Sequence, residues 1–259
     1  MIKHSRKRLF QHSFMLKVLL ITLFVVVSAD ITRAQMFSAD SDRQAQFNAP
    51  KTELYLGFEP ATVTYQGEEG IDGAGQFSYD APVIRAGFSS RALNLYLGAG
   101  GKVTGSDDVG YFDVGGNLNF GLPLYITEKF ILLLPFRISS RLTNITNDRT
   151  SAAPLGTRDQ FRFGGITAGA GLKANARPKP NIRIQLGAIP SYGFTFASGG
   201  LFGGSLGTLA LNGRLFFDRL FGDTGLSLGY KYDLRNYNVD EEKYDYRVNG
   251  HSIQVGITF

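Results

Sequence analysis

The chain of 259 residues contains no Cys and no Trp. Without Cys there is no disulfide framework, thiolate metal site, Cys nucleophile or acylated Cys anchor. Charged residues make up 19%, below the roughly 25% of an ordinary soluble domain. Histidine is scarce: only His4, His12 and His251 occur. Long apolar runs are missing too. The longest, Val18 to Ala29, falls short of the ~20 residues a membrane-spanning helix needs. What is abundant is glycine, with 32 residues, and aromatic side chains, at 13%.

The formal charge of +5 and a pI near 9.3 invite a polyanion-binding reading, so the location of the charge decides its meaning. Lys3, Arg6, Lys7, Arg8 and Lys17 precede the apolar run. This is the layout of a secretory signal. Small-residue exits follow at Val27-Ser28-Ala29 and at Thr32-Arg33-Ala34. The second gives a signal peptide over 1–34. An uncleaved anchor is the alternative, disfavoured by length. Residues 1–34 hold six Lys/Arg and one Asp, so the remainder carries 21 basic and 21 acidic residues. A neutral exported chain gives no support for nucleic-acid binding.

From about residue 51 the hydrophobic period is two, not 3.6. In Phe112-Asp113-Val114-Gly115-Gly116-Asn117-Leu118-Asn119-Phe120 the even positions are mostly large and apolar, the odd ones small or polar. The rhythm recurs at Leu93, Leu95, Leu97, at Ile182, Ile184, Leu186 and at Leu226, Leu228, Tyr230. It predicts ten strands, at about 51–60, 80–88, 92–100, 111–124, 130–142, 160–175, 182–196, 206–217, 224–236 and 246–259. Short connections near 89–91, 125–129, 176–181 and 218–223 alternate with longer ones near 61–79, 101–110, 143–159, 197–205 and 237–245. Short turns at one end and long loops at the other predict an all-β, closed, antiparallel up-and-down transmembrane β-barrel over 51–259. Eight or twelve strands stay possible, because the first segment and the 61–79 stretch are ambiguous. Residues 35–50 are polar, lack alternation and read as a short periplasmic lead-in.

Alternation does not by itself say which face is inside, since a soluble lipocalin-like barrel alternates as well. Three features favour the membrane. The polar face is rich in Gly, Ser, Asn and Thr, which suit a crowded interior better than a water-facing exterior. The apolar face carries large residues, with aromatics such as Phe58, Phe88, Phe120, Tyr125, Phe130, Tyr192, Phe217, Tyr230 and Tyr232 often near strand ends. Low charge also accompanies an export signal. Pro135 within 130–142 removes a ladder donor and predicts a local break in pairing.

The chain closes on His251-Ser252-Ile253-Gln254-Val255-Gly256-Ile257-Thr258-Phe259. A terminal Phe preceded by apolar residues at alternate positions resembles the last strand of Gram-negative outer-membrane β-barrel proteins. The resemblance implies that Ile253, Val255, Ile257 and Phe259 form the signal read by the barrel-assembly machinery. It also implies outer-membrane lipids and lipopolysaccharide as surroundings. It assigns a class and not an activity.

With the apolar face outward, parity places Glu53, Arg85, Asp113, Arg137, Arg141, Lys173, Arg183, Arg214, Asp218, Lys231, Asp233 and Arg235 on the inner face. Tyr55, Tyr96, Asn117, Asn119, Gln185 and Asn212 share it. The first reading is a lumen filled by this polar network, in a barrel with a structural or surface-interaction role, since small barrels are filled by side chains. The second is a narrow passive channel whose basic lining favours small anionic solutes. The third is a lipid-modifying enzyme or protease. Such chemistry generally needs a placed His base, and His251 shares the parity of the lipid-facing Ile253. The expectation is therefore no enzyme and no catalytic residues. No cofactor and no metal site are expected. Asp107-Asp108 and Asp240-Glu241-Glu242 read as solvated loop acids. Gly164-Gly165 and Gly199-Gly200 lack the Lys-Ser/Thr helix start of a phosphate loop and read as points of close strand approach or bending.

Overall fold

The computed structural model describes residues 52–67, 79–105, 109–147, 160–197, 201–239 and 245–259. The expected signal segment, the lead-in and the acidic pairs at 107–108 and 240–242 lie outside these residues, as does Gly199-Gly200.

Eleven strands follow in chain order. They are β1 Glu53–Tyr65, β2 Tyr79–Ser89, β3 Leu93–Gly101, β4 Val109–Ile126, β5 Phe130–Asn147, β6 Gln160–Ala170, β7 Leu172–Lys179, β8 Ile182–Ala197, β9 Leu201–Phe221, β10 Thr224–Val239 and β11 Tyr246–Thr258. A single 3-10 turn, Lys102–Thr104, follows β3. Every pairing is antiparallel, and β11 pairs with β1 to close the ring. β6 and β7 are two lengths of one strand, for both pair with β5 on one side and β8 on the other. The ring is therefore ten strands around.

The break between β6 and β7 falls at Gly171. Its N–H donates to Pro135 O at 3.1 Å, and a Cβ there would collide with the carbonyl oxygen of Ala188. Pro135 lacks the donor that would continue the ladder. The interruption expected from Pro135 thus appears on the neighbouring strand, where a glycine lets the backbone approach closely.

The register fixes the barrel's geometry. Glu53 pairs with Ser89, then in turn come Asn94, Asn117, Ser139, Thr167, Gly193, Leu206, Tyr237, Tyr246 and finally Tyr65. One circuit climbs from one end of β1 to the other, a stagger of 12 residues between Glu53 and Tyr65. Ten strands with this stagger tilt by about 40° and form a wall about 10 Å in radius. In a lumen of that width long side chains from distant strands meet, as Arg141 of β5 does Asp233 of β10.

The two faces separate by parity. Along β1, Glu53, Tyr55, Gly57, Glu59, Ala61 and Val63 are buried, while Leu54, Leu56, Phe58, Pro60, Thr62 and Thr64 are exposed. Exposed apolar residues on the other strands include Ile84, Leu97, Val114, Phe120, Ile138, Leu186, Leu228, Ile253 and Val255. These residues form an outward apolar belt around the ring, as a lipid-facing band requires.

Above the belt, toward the long loops, the polarity reverses. The outward residues become Thr62, Thr64, Asp80, Arg162, Asn236, Asn238 and Arg247. The inward ones become Ala61, Val63, Tyr79, Val83, Tyr111, Ile145, Phe163, Leu206, Tyr237, Val239, Tyr246 and Val248, a single buried cluster. Phe163 packs edge-on against Tyr237 with ring centroids 4.6 Å apart and stacks on Tyr246 at 5.9 Å. The upper barrel is built like a small soluble one. Its outside meets water, so apolar area is removed from solvent only by turning inward. The expectation of a polar lumen is corrected here: the lumen is polar within the belt and apolar above it.

The same reversal corrects strand ends. The first segment, expected to stop at residue 60, runs to Tyr65; the eighth, expected from 206, is β9 and begins at Leu201. In β1 the apolar positions change face beyond Phe58, so alternation that reads as ended has only inverted.

Candidate functional site

Of the twelve charged residues assigned to the inner face by parity, Glu53, Arg85, Asp113, Arg141, Asp218, Asp233 and Arg235 are buried, and Arg137, Lys173, Arg183, Arg214 and Lys231 are half-buried. Two further ones join them. Glu59 is 1% exposed and keeps the parity of Glu53 and Tyr55, a signal sufficient to assign it. Arg177 lies beyond residue 175, where the sequence ends that segment, but β7 continues to Lys179.

The charges divide into an upper network and a lower tier. In the upper network Arg85 donates from Nη2 to Glu59 Oε1 at 3.0 Å and to Asp113 Oδ2 at 3.2 Å. Arg141 donates to Asp233 Oδ2 at 3.0 Å and its Nε lies 3.4 Å from Asp113 Oδ2. Arg235 Nε lies 3.3 Å and Lys231 Nζ 3.6 Å from Asp233 Oδ2. Arg235 also reaches Glu59 at 3.9 Å. The ring of Tyr96 lies between two guanidinium groups, 4.7 Å from Arg85 and 4.9 Å from Arg141, and its hydroxyl accepts from Arg141 Nε. Arg85 and Asp113 are fully buried. Such a network is held by mutual pairing, because an unpartnered charge there would carry its whole desolvation cost.

The lower tier lies toward the short turns. Glu53 accepts from Arg214 and from Ser227, and Arg214 also donates to Gln254. Asp218 accepts from Arg183 at 3.2 Å and from Arg177 at 3.3 Å. Arg183 stacks over Phe216 at 3.9 Å. Arg137 donates from Nε to Asn119 Oδ1 at 2.9 Å, and Asn119 donates to Asn117 Oδ1 at 2.7 Å. Gln185 donates to Asn175 Oδ1 at 3.0 Å. Lys173 is half-buried on β7.

Inward glycines make room for these long groups. A Cβ at Gly87 would strike the ring of Tyr55, and one at Gly115 the ring of Tyr96. Small residues on the inner face are therefore the sockets of large ones on the next strand. Gly164 and Gly165 act similarly within β6. A Cβ on either would press on Phe196 and Arg141 O, or on Leu206.

His251 is exposed on the outer face. Its Nδ1 lies 2.7 Å from Tyr230 Oη, and its ring is 4.9 Å from that of Tyr232. The three form an aromatic cluster just below the polarity reversal, the place of an interfacial girdle. Ile253, Val255, Ile257 and Phe259 are each more than half exposed on the outer face. Among the described residues no group of three His, Asp or Glu could hold a metal ion. A shallow groove of about 480 Å³, lined by Leu132, Leu172, Ala174, Leu186, Leu211 and Tyr230, opens on the apolar belt. No charged side chain lines it.

No known family matches the chain, and no curated protein matches it. Solved structures similar to it are bacterial surface barrels. The translocator domain of the autotransporter NalP from Neisseria meningitidis is 12% identical, with TM-score 0.38, covering 91% of this chain and 96% of that one. The outer membrane protease OmpT from Escherichia coli is 8% identical, with TM-score 0.41, covering 81% and 96%. Neisserial surface protein A is 12% identical, with TM-score 0.32, covering 80% and 97%.

Proposed function

We propose that this chain is a small integral barrel of the Gram-negative outer membrane, with no through-path in its lumen and with a structural or surface-interaction role at its loop end. The observation that carries this reading is the double closure of the lumen. The fully buried pairing of Arg85 with Glu59 and Asp113 lies directly beneath the apolar cluster around Phe163 and Tyr246. An ion crossing it would have to break both a charge network and a buried aromatic layer. The exposed alternate positions Ile253, Val255, Ile257 and Phe259 fit delivery by the barrel-assembly machinery, since the last strand must seal against the first in lipid. The belt then contacts membrane lipid, and the polar collar with its long connections meets lipopolysaccharide and the medium.

The test is recording from the refolded full chain in a planar bilayer. Absence of steps above the leak level is expected. Stable conductance steps would overturn the reading and favour the narrow passage. The lower tier's excess of Arg and Lys supports that second reading, and it requires anion preference under a salt gradient.

A further inference from the structure

The groove on the apolar belt follows from the register of five strands. Leu132, Ala174, Leu186, Gly213 and Tyr230 pair in one row across β5, β7, β8, β9 and β10. Leu172, Ala188 and Leu211 pair in the next outward row toward the long loops. Large and small residues alternate along both rows, so the small ones line up diagonally. Gly213, Ala188 and Ala174 form a floor one residue wide across three strands. Leu211 and Leu172 bank it on the loop side and Leu186 on the other. A Cβ at Gly213 would touch only the end of Leu186, at 3.4 Å, so the floor there is open above. Tyr230 and Leu132 stand at the two ends.

Shape and lining select the occupant. From Leu132 to Tyr230 the groove crosses four interstrand spacings, about 19 Å. A helix with its side chains is about 10 Å across, too wide for a floor of one residue, whereas a linear hydrocarbon chain fits. The lining carries no charge, and the groove is continuous with the lipid-facing belt. The row climbs toward the loops as the whole circuit does, so the groove is inclined. A bilayer's hydrocarbon core is about 30 Å thick, and an inclined groove of this length matches a chain of one leaflet.

One end is polar. Tyr230 Oη lies 2.7 Å from His251 Nδ1, with one proton between the two atoms. If the phenol donates it, His251 keeps an N–H at Nε2. If the imidazole donates it, Tyr230 keeps its own O–H. Either tautomer leaves the neutral pair one donor, and both residues are exposed on the outer face. The groove thus has an apolar floor and a hydrogen-bond donor at its upper end, the polarity of an esterified fatty chain.

We infer that this groove holds one ester-linked acyl chain of a membrane lipid. The tail lies over Gly213, Ala188 and Ala174, and the ester carbonyl accepts from the Tyr230–His251 pair. The inference rests on reading the chain as a membrane barrel with its belt in lipid. It adds a lipid held at one place to a belt that lipid otherwise only solvates.

Native mass spectrometry of the full chain, refolded into dimyristoyl phosphatidylcholine vesicles and extracted into neutral detergent, tests this. One retained lipid per chain is expected. G213L and A188L fill the floor and should abolish retention, whereas L228A, elsewhere on the belt, should leave it intact. Y230F combined with H251A removes the donor and should weaken retention. The diether analogue, which lacks the carbonyl, should be held more weakly by the wild-type chain, an arm that needs no variant to fold. No retained lipid, or retention undiminished in both G213L and A188L, would overturn the site. A chain dimer in place of the lipid adduct would overturn the lipid as occupant and assign the groove to a second copy. Diether lipid held as well as diester would overturn the role of the Tyr230–His251 pair. Failure of the wild-type chain to insert into the vesicles would overturn the membrane reading and the groove together, whereas insertion without a retained lipid overturns the groove alone.

Discussion

Two parts of one barrel wall solve opposite solvation problems with the same backbone. Within the belt, β11 shows Ile253, Val255 and Ile257 outward and Ser252, Gln254 and Gly256 inward. A few residues earlier the same strand shows Arg247 and Asn249 outward and Tyr246 and Val248 inward. The hydrogen-bond ladder runs through both without interruption. What changes is the solvent outside. Where it is lipid, polar groups must be paired inside, and the lumen becomes a salt-bridged network. Where it is water, apolar groups must be hidden inside, and the lumen becomes a hydrophobic core. The boundary is marked by Tyr230, Tyr232 and His251.

The comparison can be strained most strongly from within. Arg85→Met takes from the buried Glu59 and Asp113 the cation they share, leaving them only the longer contacts to Arg235 and Arg141, and should cost about 3–5 kcal/mol, read by denaturant unfolding in vesicles. Adding Glu59→Gln and Asp113→Asn should recover most of that loss; no recovery would mean that packing and not charge holds this level. Phe163→Ala removes the centre of the upper core and should cost a similar 3–5 kcal/mol. Phe120→Ala on the lipid face creates no internal cavity and should cost clearly less. Equal losses would deny that the upper lumen is a core.

Charge insertion sharpens the outer side of the contrast. Leu56→Arg in the belt should cost about 2–4 kcal/mol, and Thr64→Arg on the collar no more than about 1 kcal/mol. A reversed order would misplace the membrane. A socket gives an intermediate effect: Gly87→Ala pushes against the Tyr55 ring and should cost roughly 1–3 kcal/mol by overpacking. The double variant with Tyr55→Phe should leave that cost in place, because the clash is with the ring as well as its hydroxyl.

The belt was legible in the sequence because its two signals agree. Large apolar residues and period-two spacing coincide from Leu93 to Leu97 and from Leu226 to Tyr230, so strand number and the parity of the charged residues followed. The collar was not, because there the same period persists with its phase inverted. Ala61, Val63 and Tyr65 occupy the inner parity of β1 while Thr62 and Thr64 take the outer one. A reader tracking outward leucines sees the strand end at Phe58. Pairing among the charges was illegible for a different reason. Arg85 and Glu59 stand on neighbouring strands at the same parity, but which cations find carboxylates and which, like Lys173, do not depends on the stagger of the whole ring. That stagger accumulates over ten strands and is written in no single segment.

Because the chain contains no Cys, single cysteines report without background. Spin labels placed singly at Arg247, Val248, Ile253 and Val255, with collisional accessibility to oxygen and to a water-soluble nickel chelate, read the solvent along one strand. Polarity reversal requires Val255 and Ile253 to favour oxygen, Arg247 to favour the chelate, and Val248 to be shielded from both. Oxygen-dominated contact at Arg247, or chelate-dominated contact at Ile253, would contradict it.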